Sequence, residues 1–303
     1  MRIWLREVRL PFLAASVVPV LVGSAAGFTA SGTFDVGRFV LAVMGMVLLH
    51  AGANVANDYF DHLSGNDPAN RNVTPFSGGS RVIQEGLLSP RSVLTGALCL
   101  LAAGTVCGIV LAVLMRSLLI LALGIVGLFF GYFYTATPLR LGYRGIGELI
   151  VGLCFGVLPV SGAFAVQTAR LEPWVLAPGA LVAILIFLVL LANEFPDERA
   201  DRAVGKRTLV VLLGQRRAAW VYRGALLGGY VAAVGAAAFL YQMRYAGLLF
   251  LATLPLATAA LRHVGADLVP ASGRHRVNLL TMLLHVAGGL ALAAGLLLSA
   301  FVG

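Results

Sequence analysis

Nine apolar runs of roughly twenty residues divide the chain, near 10–28, 38–60, 92–114, 117–136, 145–167, 174–194, 218–240, 245–262 and 278–301. About 20 apolar residues in an α-helix cross the ~30 Å hydrocarbon core of a bilayer, and a helix satisfies its own backbone polar groups there. The runs are continuously apolar rather than alternating, which selects helices over the strands of a barrel. Composition excludes the alternative of nine helices in a soluble core. Charged residues make up 12% of the chain and hydrophobic ones 59%, against about 25% charged in soluble domains. The expected architecture is therefore one all-α, polytopic domain over residues 1–303, a bundle of nine transmembrane helices. Its longest connections, both polar, follow the second and sixth helices.

The formal net charge is +9, but the basic residues sit between apolar runs instead of lining a helix face among aromatics, which argues against nucleic acid as a partner. Arginine supplies nearly all of them; Lys206 is the only lysine, a bias attributed to genome composition. Counting from the N-terminal side, 18 basic residues fall on that face (among them Arg2, Arg6, Arg9, Lys206 and Arg274) and four, Arg38, Arg116, Arg170 and Arg244, on the other. The positive-inside rule then places the N-terminus in the cytoplasm and the C-terminus outside, as expected of an inner-membrane protein. Arg2, Arg6 and Arg9 before an apolar run resemble a secretory signal, yet the run is long enough to span and others follow, so an uncleaved first helix is expected. Cys99, Cys107 and Cys154 lie inside apolar runs without CxxC or Cys/His spacing, which points to packed thiols rather than a disulfide or zinc site.

Seven of the 13 acidic residues fall in two short segments, each at the expected cytoplasmic end of a very apolar helix. The first reads Asn54-Val55-Ala56-Asn57-Asp58-Tyr59-Phe60-Asp61 and continues through Gly65 to Asp67; the second reads Asn193-Glu194-Phe195-Pro196-Asp197-Glu198-Arg199-Ala200-Asp201. At about 100° per residue, His50, Asn54, Asn57, Asp58 and Asp61 occupy roughly a third of the helix circumference. Asn193, Asp197 and Asp201 share a face provided the helix continues past Pro196. Stacked carboxylates repel one another, and near a membrane their desolvation adds to the cost. One such cluster reads equally well as a solvated helix end paired with arginines. Two clusters on one side of the membrane point to a hard divalent cation, and carboxylate and amide oxygens suit Mg²⁺, which binds through one or two carboxylates plus substrate phosphates.

Basic residues accompany both segments. Arg71 and Arg81 flank Gly78-Gly79 in the loop after the first, and Lys206-Arg207 follow the second. Arginine binds phosphate oxygens as a fork and lysine as a point charge, while the glycine pair admits close approach of backbone to a ligand. Each of these cations also satisfies the orientation rule on its own.

At these residues the chain resembles the UbiA superfamily of intramembrane prenyltransferases, over nearly its whole length. Asn193-x₃-Asp197-x₃-Asp201 matches the family's second motif. The first matches as Asn57-x₃-Asp61, with Gly65 where a further acid is expected and Asp67 two residues later, a pattern similar to the branch that prenylates 1,4-dihydroxy-2-naphthoate. Arg9-Leu10-Pro11, Tyr134-Thr135-Ala136-Thr137-Pro138, Leu141-Gly142-Tyr143-Arg144-Gly145-Ile146-Gly147-Glu148 and Gly205-Lys206-Arg207-Thr208-Leu209 resemble that branch too.

The resemblance implies Mg²⁺ held by Asn57, Asp61, Asp67, Asn193, Asp197 and Asp201, with Asp58 assisting catalysis beside Asp61, Asp197 and Asp201. It implies a polyprenyl diphosphate held by Arg71, Arg81, Lys206, Tyr134 and Thr135, and an aromatic acceptor bounded by His50, Asn54, Arg140 and Arg144. Tyr134 also suits an interfacial anchor, His50 helix packing, and the two arginines a plain loop. Segments 54–81 and 193–210 would carry the chemistry. The alternatives are other acceptors (4-hydroxybenzoate, homogentisate, a tetrapyrrole or a glycerol phosphate lipid) and a cation transporter. Clustering of both acidic segments on one side argues against the transporter. The Asp-Gly-x₂-Ala-Arg motif of phosphatidyltransferases is absent from the sequence.

Overall fold

The computed structural model describes residues 2–302 apart from 72, 75 and 265–275, so Arg274 of the charge count lies outside the described residues. Among the described residues, eight helices are long and apolar enough to cross a membrane and a ninth is shorter. They are α1 (Leu10–Ser31), α2 (Val36–Leu63), α3 (Pro90–Leu114), α4 (Leu118–Phe133), α5 (Gly147–Thr168), α6 (Pro173–Ala203), α7 (Gln215–Phe239), α8 (Tyr241–His263) and α9 (Arg276–Val302). Each matches one apolar run. Local chemistry sets several starts: the Asp35 side chain accepts from Arg38 N–H at the head of α2, and Ser89, followed by Pro90, caps α3. Ser117 caps α4 in the same way, and each such cap satisfies an otherwise orphaned backbone N–H.

In lipid the tails are as apolar as the side chains, so close van der Waals packing and interhelical hydrogen bonds hold the bundle together. Helix α2 lies along α3, α1 packs on α5 and α9, and α6 touches α5, α7 and α9. Small residues let these backbones meet. A Cβ at Gly295 of α9 would stand 2.3 Å from the Ala246 Cα of α8, and one at Gly156 of α5 would stand 2.4 Å from the Ala183 Cα of α6. Polar pairs also join the helices: Tyr222 of α7 to Thr281 of α9 at 2.8 Å, Tyr230 of α7 to Thr253 of α8 at 2.7 Å, and Asn278 Nδ2 of α9 donating to Asn193 Oδ1 of α6 at 2.7 Å. The last bond ties α9 to the second acidic segment. Helix α6 runs unbroken through Pro196 to Ala203, so Asn193, Asp197 and Asp201 do share one face.

Between α2 and α3 the chain forms the Asn66–Ala69 turn and an irregular loop. A short helix, Arg2–Glu7, precedes α1, and Leu209–Leu213, capped by Thr208, precedes α7. These three connections come together over the ends of α2 and α6.

Candidate active site

A cavity of about 210 Å³ opens where α2 and α6 end, and its lining divides by chemistry. At the polar end stand Asn57, Asp61 and Asp67 from one side, and Asn193, Glu194, Asp197, Asp201 and Lys206 from the other. Deeper, the walls are Phe12, Ala15, His50, Ala53, Phe130, Ile150, Val151, Cys154, Phe155, Ile186, Val189, Leu190 and Met282. Asn54 and Tyr134 lie on the lining too. A charged mouth over an apolar chamber suits an amphiphile whose charged head stays at the mouth.

Local backbone explains how Asp67 reaches the mouth although it lies beyond α2. Gly65 adopts φ 79, the left-handed conformation that ends the helix, and the Asn66–Ala69 turn carries the chain back over the cavity. Asn66 Nδ2 then donates to Asp201 Oδ1 at 2.8 Å, and Asn70 Nδ2 donates to Asp197 Oδ1 at 2.7 Å. The two acidic segments are thus laced together by amides from one turn. Gly79, at φ +76, lies against Asp67: a Cβ there would come within 2.6 Å of the carboxylate. Arg81 Nη1 donates to the Asp67 carbonyl.

Asp61 is held on both oxygens. Tyr143 OH donates to Oδ1 at 2.7 Å, and Lys206 Nζ reaches Oδ2 at 3.3 Å while standing 3.7 Å from Asp201 Oδ1. Burial pushes the Lys206 ammonium down, but the Asp61 and Asp201 carboxylates more than offset it and hold it well above the ordinary lysine value. Asp67 moves the other way: burial, then the charges of Asp58 and Asp61, push its carboxyl up to about 8. The mouth brings five carboxyl groups, Asp61, Asp67, Glu194, Asp197 and Asp201, together with two cationic side chains, Lys206 and Arg9.

Among the described residues, no three His, Cys, Asp or Glu side chains close on one point as a preformed metal cage does. The donor set still fits Mg²⁺: hard oxygens from two helices, more carboxyl groups than cationic side chains and open space between them match an ion that takes one or two carboxylates and completes its shell with water and phosphate.

Several residues expected at the site stand elsewhere. Asp58 is buried outside the cavity lining, paired with Arg9 and accepting the Ser80 N–H at 2.8 Å. At 100° per residue it lies a full step around the helix from Asn57, at the edge of the acidic arc. Arg71 is exposed and Thr135 is buried, neither on the lining. Arg140 stacks over the Tyr143 ring at 5.1 Å, and Arg144 Nε donates to the Leu139 carbonyl at 2.5 Å. Arg81 lines a neighbouring cavity with Arg6 and Arg9, reached past Phe12 and Phe76. Conversely, Arg9, Tyr143 and Glu194, which the sequence motifs contain without a site role, and Asn66 and Asn70, not named in those motifs, also take part in the site. Glu194 meets Glu148, whose other oxygen accepts the Leu209 N–H at 2.7 Å and so fixes the segment after Lys206.

The N-terminal helix latches onto the loop that bears Gly79. Arg6 makes a two-point pair with Glu85 at 2.6 and 2.7 Å, and Ser80 Oγ donates to the fully buried Glu7. Burial, then the Asp58 charge, push the Glu7 carboxyl up to about 7 from a reference of 4.5. The folded value exceeds the unfolded one, so stability from this group is complete below the unfolded value and is lost as pH rises through about 7. Thermal stability of the purified protein is expected to fall from about pH 4.5 to about pH 7, with Glu7→Gln flattening the slope. An equal slope in the variant would assign the pH dependence to another group.

Comparison with known proteins gives the family and the fold. Residues 16–280 match the UbiA prenyltransferase family. A 1,4-dihydroxy-2-naphthoate octaprenyltransferase of Mycobacterium tuberculosis is 34% identical over 95% of this chain and 96% of its own length. A 2-carboxy-1,4-naphthoquinone phytyltransferase of Synechocystis is 28% identical over 97% and 92%. Among solved structures, a UbiA homolog from Archaeoglobus fulgidus bound to GPP and Mg²⁺ superposes with a TM-score of 0.72 at 15% identity, covering 96% of this chain and 99% of that one.

Proposed function

Because this chain belongs to the UbiA prenyltransferase family, we propose that it transfers a polyprenyl group from its diphosphate to 1,4-dihydroxy-2-naphthoate, with loss of CO₂, to give a demethylmenaquinone precursor. The observation that carries this reading is the convergence of two acidic segments and Lys206 at the mouth of an apolar chamber. Relatives from two bacterial lineages that are named for naphthoate-type acceptors support the acceptor.

Asn57, Asp61, Asp67, Asn193, Asp197 and Asp201 would hold Mg²⁺, which neutralises the diphosphate and makes it a better leaving group. Lys206 places a fixed positive charge beside the departing diphosphate, and Arg9 adds a second at the cavity edge. The apolar walls take the prenyl tail and keep water from the allylic carbon once its C–O bond breaks. The Tyr134 ring, on the lining between mouth and chamber, faces developing positive charge with its π system. The electron-rich ring carbon bearing the carboxylate attacks that carbon. The surplus of arginines on the N-terminal side supports a mouth that faces the cytoplasm at the inner membrane, where diphosphate and acceptor are supplied.

Purified protein in lipid, given geranylgeranyl or a longer prenyl diphosphate and Mg²⁺, is expected to prenylate 1,4-dihydroxy-2-naphthoate with CO₂ release and to stop when the metal is chelated. Parallel reactions with 4-hydroxybenzoate and homogentisate test the acceptor. Product with one of those alone would move the chain to another branch, and product with none would defeat the transferase reading.

A further inference from the structure

In the chamber the one side chain with a free ring nitrogen is His50, and its other nitrogen is already engaged. Ser16 Oγ of α1 lies 2.6 Å from His50 Nδ1, and both residues are buried. Phe155 of α5 meets the imidazole edge-on, with centroids 4.5 Å apart. With Nδ1 engaged and the ring clamped, Nε2 is the nitrogen left for the chamber that His50 lines. His285 differs: it is equally buried, but both nitrogens are enclosed without a partner and it lines no cavity.

Depth matters. His50 lies seven residues before Asn57 and eleven before Asp61 on α2, so it sits roughly 10 to 16 Å below the carboxylates along the helix axis. A diphosphate at the mouth projects its allylic carbon into the chamber, and the attacked carbon must approach to about 3–3.5 Å. A group that takes the proton of the hydroxyl beside that carbon must stand on the chamber side of the mouth, the side on which His50 lines the cavity. Of the other ionisable lining groups, Asp61, Asp67, Glu194, Asp197, Asp201, Lys206 and Arg9 belong to the mouth, while Tyr134 and Cys154 offer a phenol and a thiol, both weaker proton acceptors than an imidazole.

Resting on the transferase reading above, we propose that Ser16 and His50 form an acceptor-side proton relay, with His50 catalytic and Ser16 positioning. As the prenyl C–O bond breaks and diphosphate leaves with its electron pair, the carboxylated ring carbon forms the new C–C bond. The neighbouring hydroxyl gives its proton to His50 Nε2 and becomes a ketone. Departure of CO₂ leaves its bonding pair on the ring as an enolate, and the imidazolium returns the same proton to the enolate oxygen. No net proton, oxidant or reductant is needed. In this relay His50 Nδ1–H donates to Ser16 Oγ, which leaves Nε2 as the accepting nitrogen.

The test compares wild type with His50→Gln, whose amide reaches the Nε2 position but does not take up a proton there, and with Ser16→Ala and Ser16→Thr. Prenyl diphosphate binding measured in each variant reports an intact mouth. The relay predicts that His50→Gln lowers the single-turnover transfer rate by about 100-fold or more, with the acceptor KM and diphosphate binding changed less than about threefold. Ser16→Ala should slow transfer by about tenfold, with Ser16→Thr restoring it, and wild type should show a normal solvent deuterium isotope effect. A His50→Gln enzyme as fast as wild type, or one altered only in acceptor KM, overturns the relay while the transferase reading stands. Absence of the isotope effect overturns it without any substitution. Failure of wild type on every aromatic acceptor removes both.

Discussion

Asp61→Ala and Asp197→Ala are each expected to lower prenyl transfer by about 10³-fold or more while the protein still folds. The two carboxylates come from α2 and α6 and face the same mouth, so each supplies one wall of the charge that receives cation and diphosphate. Loss of a single preorganised electrostatic group at developing charge typically costs about 10²–10³ in rate, and loss of a ligand to the neutralising ion adds to that. The partners show what else would change. Without Asp61, Tyr143 loses its acceptor and Lys206 keeps only the longer contact to Asp201. Without Asp197, the Asn70 amide loses this acceptor, while Asn66 still ties the turn to Asp201 of α6. The defect should appear in metal-dependent diphosphate binding as well as in turnover, measured on protein whose thermal unfolding is still cooperative. Activity within tenfold of wild type in Asp197→Ala would leave the second motif without a role in the chemistry.

The nine helices were legible because a bilayer demands continuous apolar runs, and α1 to α9 fall on them within a few residues, except that α6 runs on past 194 to Ala203. Both acidic segments were legible for the complementary reason: carboxylates at the end of an apolar helix are costly unless something offsets them. Periodicity ran out where a neighbour, not the helix, decides what a side chain meets. Asp58 lies at the edge of the acidic arc, and only the fold brings Arg9 and the Ser80 N–H to claim it. Arg140 and Arg144 looked like anion binders by type, yet Tyr143 and the Leu139 carbonyl engage them. The amides that lace the segments, Asn66 and Asn70, depend on the reversal at Gly65. The Gly65 and Asp67 pattern marked that place in the sequence, without saying that a single turn would fold back on α6. Arg9 carried a weaker signal, a basic residue just before the Leu10-Pro11 start of α1.

Lys206→Met is the substitution expected to separate diphosphate binding from metal binding. The backbone puts this lysine where it is: Gly205 takes φ 72, the Lys206 N–H donates to the Asp201 carbonyl at 2.8 Å, and Arg207 N–H reaches the Tyr143 carbonyl at 3.3 Å. Its ammonium lies 5.3 Å from the centre of the Tyr143 ring, between Asp61 and Asp201. Methionine keeps most of the stem and removes the charge, so packing changes little. Transfer should fall by about 10²-fold or more, because a fixed cation beside the leaving group is gone. Arginine should recover only part of this, since its planar fork is longer and wider than a point charge held between two carboxylates. Divalent cation binding without diphosphate should move the opposite way. Removing a positive charge next to Asp61 and Asp201 leaves the mouth more negative, so the free enzyme should bind Mg²⁺ at least as tightly as wild type while prenyl diphosphate binds more weakly. A lysine that merely held its loop would weaken both when replaced, and calorimetric titration of each ligand distinguishes the two.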